Sequence, residues 1–203
     1  MLLDRHLLGE LEVRWRAQEA PILERLTPGL SVEEIDAVTA PLGVRLPAEA
    51  RLWWQWHNGV PGAKGSLRVL RTIGGPYYEY IPIEEAAAEY RQLREIAAAA
   101  TAGTRLDADE FWHPSWWPIS SNAGGAWIAC ECDVAEDAPT PIRAIHFAES
   151  TQFEDPVLGS FGELVQHFID GLDQGVWRYD ADTERWVKDF ERHTAQQQHV
   201  RIL

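Results

Sequence analysis

The run Ala126-Trp127-Ile128-Ala129-Cys130-Glu131-Cys132-Asp133 decides the fold class. Side chains alternate across an extended strand, so Ala126, Ile128, Cys130 and Cys132 point one way and Trp127, Ala129, Glu131 and Asp133 the other. The first set is apolar and the second ends in two carboxylates, as expected of a strand with one buried and one wetter face. A polar connection over 134–141 leads to a second apolar run at 142–147. Two such runs with no helix between them predict a long-looped antiparallel hairpin.

Towards the C-terminus, Ser160-Phe161-Gly162-Glu163 reads as a capping box, in which serine caps a backbone N–H and glutamate reaches back. The helix it opens would bury Leu164, Val165, Phe168 and Leu172. Residues 176–187 predict a final hairpin turning at Asp180-Ala181-Asp182-Thr183, and the polar tail 188–203 is expected to fray. Before the central run, Trp116-Trp117-Pro118-Ile119 enters a strand and 101–115 reads as a loop. Ala86, Tyr90, Leu93, Ala97 and Ala100 form one helical stripe. Residues 60–82 read as short strands and turns, with Leu67, Val69 and Leu70 in a candidate strand and Gly74-Gly75-Pro76 as a break.

The N-terminal third is helical. Leu8, Leu11 and Trp15 share a helix face, and Pro21 opens a short second helix. Thr27-Pro28-Gly29 is a turn, and Ser31-Val32-Glu33-Glu34 is a capping box whose helix stops at Gly43. Pro47 opens a helix with Leu52, Trp53 and Trp56 on its buried side, ending at His57-Asn58-Gly59. Helices, strands, one inserted helix, strands, a helix and a hairpin make an α+β fold. Its sheet is expected to be largely antiparallel, with helices packed on one side.

With 203 residues and 23.0 kDa, the chain is expected to form a single domain over 1–203, with a C-terminal hairpin and polar tail at 176–203. No apolar run approaches the ~20 residues that span a bilayer. The start, Met1-Leu2-Leu3-Asp4-Arg5-His6, is too polar for a signal peptide. Its two cysteines are too few and too close for a disulfide framework. A cytoplasmic protein follows as the expectation. Net charge is −14, and it is lopsided: residues 1–106 carry 14 acidic and 12 basic side chains, residues 107–191 carry 18 and 4. Such a surface repels nucleic acid and anionic membranes and attracts basic proteins.

Catalytic templates fail. No His-Glu-x-x-His, Cys-x-x-Cys or phosphate-cradling glycine loop followed by Lys-Ser/Thr occurs. Gly159-Ser160-Phe161-Gly162 lacks the glycine of a nucleophile elbow, because Leu158 stands there, and capping explains Ser160 better. A zinc site from Cys130, Cys132 and His113 or His146 has poor spacing, and two thiols on an apolar strand face read as core. His57, Asn58 and Gly59 read as a helix stop. The sequence therefore calls for no catalytic residue, no metal and no cofactor.

The remaining candidates are carboxylates and one indole. Glu131 and Asp133 share a strand face with Trp127. Glu136, Asp137, Glu154 and Asp155 come from loops near the same end. A solvated face, a basic protein partner and acid–base or cation chemistry are the readings open to such a cluster. Of the ten tryptophans, Trp53, Trp56 and Trp15 fit helix faces, while Trp112 and Trp116 lie in or near a loop. Tryptophan ringed by charge is the composition of a protein-binding hot spot. Trp127, Glu131, Asp133, Glu136, Asp137, Glu154 and Asp155 are the expected partner-binding residues.

Three segments together resemble a known family: Leu26-Thr27-Pro28-Gly29-Leu30-Ser31-Val32-Glu33-Glu34-Ile35, Leu42-Gly43-Val44-Arg45-Leu46-Pro47-Ala48-Glu49, and Trp56-His57-Asn58-Gly59. With Trp117-Pro118-Ile119, Gly124-Gly125, Cys132-Asp133, the 142–147 strand and the helix from Ser160, they look like the SUKH superfamily over about 7–175. The usual acidic turn is here Asn122-Ala123-Gly124-Gly125, and Val134 stands where a proline often follows Asp133. The resemblance implies a SUKH-like, largely antiparallel mixed sheet of about six strands with packed helices, and a non-enzymatic role. Bacterial members are interpreted as immunity proteins that occlude toxins, many of them nucleases. The yeast founder is described as a cell-wall assembly regulator, which implies a regulatory scaffold as the alternative. A metal-dependent hydrolase using the carboxylates is the rival from another class.

Overall fold

The computed structural model describes residues 1–62, 71–73, 78–105, 107–122, 125–146, 155–183 and 185–197. The candidate strand at Leu67–Leu70 and the Gly74-Gly75-Pro76 break lie outside them. The α-helices are α1 (Arg5–Ala17), α2 (Val32–Thr39), α3 (Ala48–Trp56), α4 (Ile83–Thr101), α5 (Ala108–Phe111), α6 (Phe161–Asp173) and α7 (Phe190–Gln197), with 3-10 turns at Pro21–Glu24 and Ala40–Leu42. Six strands are described, β1 (Glu79–Tyr80), β2 (Trp116–Ser121), β3 (Ala126–Glu131), β4 (Ile142–His146), β5 (Trp177–Asp180) and β6 (Arg185–Lys188). They divide into a four-stranded sheet in the order β1-β2-β3-β4 and a separate β5-β6 hairpin, and every pairing is antiparallel. This is the expected α+β architecture, with the expected final hairpin standing as its own sheet.

The central hairpin forms as its alternation demands. Cys130 pairs with Ile142 and Ile128 with Ala144, so the apolar sets of β3 and β4 share one face. Pro118 sits inside β2, where it cannot donate to the ladder. The register with β3 shifts between Pro118 and Ser120, a bulge that accommodates the missing N–H. The tail expected to fray instead begins with α7, whose Arg192 N–H is held by the Asp189 carboxylate. Likewise, α5 forms inside the stretch expected to be loop, with Asp107 as its cap.

The segment 26–35 folds onto the end of α3 and the His57-Asn58-Gly59 stop that follows it. Leu30 N–H donates to Trp54 O at 2.9 Å, Thr27 N–H to Gly59 O at 3.0 Å and Asn58 N–H to Thr27 O at 3.2 Å. A Cβ on Gly29 would lie 2.0 Å from Gln55 O, so only glycine lets this turn approach α3. Asn58 does more than stop a helix: its Oδ1 accepts from Ile83 N–H at 2.8 Å and caps α4. The capping box of Ser31 and Glu34 is complete. At α6, Ser160 caps as expected, but Glu163 reaches Gly159 N–H rather than the serine's own.

A continuous apolar cluster runs from Leu3 to Trp186. Trp53 is its centre, 4.3 Å from the Tyr80 ring and 5.3 Å from Phe161. Trp54 is buried beside it, whereas Trp56, expected in the core, is half-buried. It stacks on Trp15 at 5.6 Å and donates its indole N–H to Glu12 at 2.6 Å. Into this cluster α3 also carries a carboxylate. Glu49, 4% exposed, accepts from Leu3 N–H and Thr140 N–H at 2.6 Å each and from Gly162 N–H at 3.2 Å.

The β5-β6 hairpin is anchored by Trp177. Its ring centroid lies 5.7 Å from that of His167, 6.2 Å from Phe168 and 6.4 Å from His193, and a Cβ on Gly171 would meet it at 2.4 Å. Burial pushes both imidazoles down to about 4. Asp170 opposes the shift at His167, while Lys188 adds to it at His193. A depressed histidine pKa means that between about pH 6.5 and 4 the unfolded chain binds protons the folded chain does not. Stability from this source is complete above about pH 6.5 and is lost as pH falls towards 4. We expect up to about 3 kcal/mol from His167 over that window. Urea denaturation from pH 7 to 4.5 checks it: the slope should flatten in His167→Gln, and an equal slope in both proteins would assign the loss to other groups.

Candidate partner-binding surface

β3 sets the geometry. Trp127 and Glu131 occupy one face, four residues and about 13 Å apart along the strand. Trp127 stands between Ser121 of β2 and Ile145 of β4. It is half-buried, donates its indole N–H to Glu89 of α4 at 3.0 Å, and meets Trp112 edge-on at 6.2 Å. Trp112 in turn meets Trp116 edge-on at 6.0 Å and donates to the Trp116 carbonyl at 3.0 Å. The loop tryptophans are therefore buried: Trp112 is 0% exposed and Trp116 8%. Trp112 backs Trp127, and Trp116 packs on Trp112, rather than offering rings to solvent.

Glu131 faces Trp116 across the β2–β3 ladder. Its carboxylate accepts from Arg143 Nε at 2.5 Å, and the Arg143 guanidinium lies 4.6 Å above the Trp116 ring. Both charged side chains are mostly covered, at 17% and 16% exposure, so each supplies the other's counter-charge. Glu136 is held in a similar way. It lies 2.8 Å from Arg45 and 2.5 Å from Arg51, and its backbone oxygen accepts from Ala48 N–H at 2.9 Å. Arg51 also lies 3.7 Å from Asp36. The β3–β4 connection is thereby tied to the start of α3.

The expected carboxylate cluster thus separates into two kinds. Glu131 and Glu136 are ion-paired, Glu131 mostly covered and Glu136 exposed, while Asp133, Asp137 and Asp155 are exposed. Asp133 lies beyond the last strand residue, Glu131, so strand alternation does not fix where it points. Asp155 begins the segment whose Leu158 bridges Ile142 at the edge of β4. Glu154 lies outside the described residues. Ion pairs also tie acidic groups of the later half to arginines of the earlier one at Arg14–Asp173 and Arg94–Asp109. Part of the charge asymmetry is therefore used to hold the two halves together.

Sequence reasoning missed Arg143, Arg45, Arg51 and Glu89. Arg143 could have been found from the hairpin register, which sets it opposite Ala129, two residues from Glu131 on the same strand face and so its diagonal neighbour. The other three act across long sequence separations that no local pattern encodes. Among the described residues, no group of three or more His, Cys, Asp or Glu side chains could hold a metal ion, and both cysteines are free thiols. His57 closes α3 with Nδ1 3.3 Å from Thr27 O and Nε2 3.3 Å from Glu12. No described helix is long and apolar enough to cross a membrane.

The Glu131–Arg143 pair yields a direct test. Low exposure and a short charge-assisted contact predict a coupling energy of about 1–2 kcal/mol in a double-mutant cycle of Glu131→Gln and Arg143→Met. Additive losses would show that the carboxylate and guanidinium act independently.

Two comparisons bear on identity. The sequence model of the SMI1/KNR4 family (SUKH-1) matches residues 29–167, from the Gly29 turn into α6. No curated protein matches the chain significantly.

Proposed function

Because the chain belongs to the SMI1/KNR4 family (SUKH-1), whose members are generally non-catalytic protein-binding modules, we propose that it is a cytoplasmic immunity-type protein. It acts as one domain and neutralises a basic, nuclease-like toxin domain by occluding it. The observation that carries this reading is the charge distribution. The segment 107–191 has 18 acidic against 4 basic side chains, and after Glu131 and Glu136 are paired internally, Asp133, Asp137 and Asp155 remain exposed. Exposed carboxylates speed capture of a cationic surface, and a tightly seated ring slows its release. Trp127, held from behind by Trp112 and by Glu89, is the rigid aromatic anchor of that surface.

Stopped-flow binding to a panel of basic nuclease domains at two ionic strengths tests this. Asp133→Lys with Asp137→Lys should slow association and weaken its salt dependence. Trp127→Ala should raise the dissociation rate and weaken binding by about 2 kcal/mol or more. Unchanged rates in both variants, with circular dichroism showing intact folds, would overturn the surface. Failure to bind any basic nuclease domain, with binding to a non-toxin protein instead, would favour a regulatory scaffold.

A further inference from the structure

Cys130 and Cys132 are the chain's only two cysteines, and their sulfurs lie 4.0 Å apart at the end of β3. Cys130 is fully buried, locked between Trp117 of β2 and Ile142 of β4. Cys132 is partly exposed, one residue past the strand, and its backbone N–H donates to Ser115 O at 2.8 Å. We propose that these thiols are a redox pair that closes reversibly into a disulfide and loosens the start of the β3–β4 connection.

The geometry sets the order of events. Cys132 is reachable from solvent and attacks first. Burial pushes the Cys130 thiol well up, so it is a poor initial nucleophile and serves as the resolving group. With a small-molecule disulfide such as oxidised glutathione as oxidant, the Cys132 thiolate attacks one sulfur and releases one glutathione thiolate. Cys130 then attacks Cys132 Sγ, and its proton passes to the second glutathione, which departs as the thiol. Two protein thiols are oxidised and one glutathione disulfide is reduced to two thiols, so atoms and electrons balance.

Closure deforms the strand end. Residues two apart in a strand have Cα atoms separated by about 6.8 Å, the upper limit for a disulfide, and the sulfurs must approach to about 2 Å. Cys130 is held by ladders on both sides, so the movement falls on Cys132 and its bond to Ser115. A bridge under such strain is easily reduced. The chemistry is independent of the proposed function. Its control over Asp133 and Asp137 rests on that reading.

Incubation with oxidised glutathione followed by intact-mass measurement tests the pair. The wild type should lose two hydrogens, regain them with dithiothreitol, and show at least tenfold faster amide exchange at Cys132. Cys130→Ala should instead accumulate one glutathione on Cys132, and Cys132→Ala should block the intramolecular bridge. A persistent glutathione adduct on the wild type, a disulfide-linked dimer on a non-reducing gel, or no change in mass would each overturn the proposal. Should Cys130→Ala fail to fold, the wild-type mass and the Cys132→Ala result still decide it. Partner binding lost on oxidation would join the switch to the proposed surface, whereas a bridge that forms with no partner found separates the two.

Discussion

A single buried carboxylate joins parts of this molecule that lie far apart in sequence. Glu49 stands in the first turn of α3 and gathers backbone N–H groups from the N-terminal segment, the β3–β4 connection and the first turn of α6. Buried backbone donors must find acceptors, and one charged group with two oxygens satisfies three of them. The positive end of α6 favours a negative charge at that place. The N-terminal residues close over the same spot. Ser160 donates to Met1 O, and a Cβ on Gly162 would fall 2.6 Å from Met1 O, so small residues there keep the strap in place.

That tie explains why the charges are arranged as they are. With α3 fixed against the β3–β4 connection, Arg51 and Arg45 come within reach of Glu136, and Ala48 N–H meets its carbonyl. Glu131 finds Arg143 across one step of the hairpin. Charge that reads in the sequence as a uniform acidic half becomes a framework of internal pairs with exposed aspartates beyond it. Asp133, Asp137 and Asp155 stay exposed, and so does the Glu136 side chain. The same arrangement places Trp127 over Trp112, so a ring that is half-exposed is also stiff.

Most of the architecture was legible because it is local. Period-two alternation placed β3 and β4, the capping pattern placed the starts of α2 and α6, and Trp117-Pro118-Ile119 placed β2. The burial of Trp112 and Trp116 was not legible, because a loop reading says nothing of what folds over the loop. Here a four-residue helix, α5, turns the chain so that both rings pack inward. Trp54 rather than Trp56 fills the core because α3 meets packing partners on two sides, Tyr80 and Phe161 on one and Ile81 on the other. Glu49 reads in sequence as an ordinary first-turn acid, and its burial depends on three contacts 46, 91 and 113 residues away. For the candidate surface, the sequence supplied Trp127 and the exposed aspartates but not the arginines that neutralise their neighbours.

The Glu49 junction holds these segments together, and equilibrium denaturation of Glu49→Gln tests that role most directly. An amide keeps the size of the side chain but turns one acceptor into a donor aimed at a backbone N–H. Each hydrogen bond to a charged group contributes about 1.5–3 kcal/mol, and a buried donor left without an acceptor adds a penalty. The account predicts a loss of about 3 kcal/mol or more, with amide exchange accelerated together at Leu3, Thr140 and Gly162. A stability within about 0.5 kcal/mol of the wild type, with all three amides still protected, would contradict it.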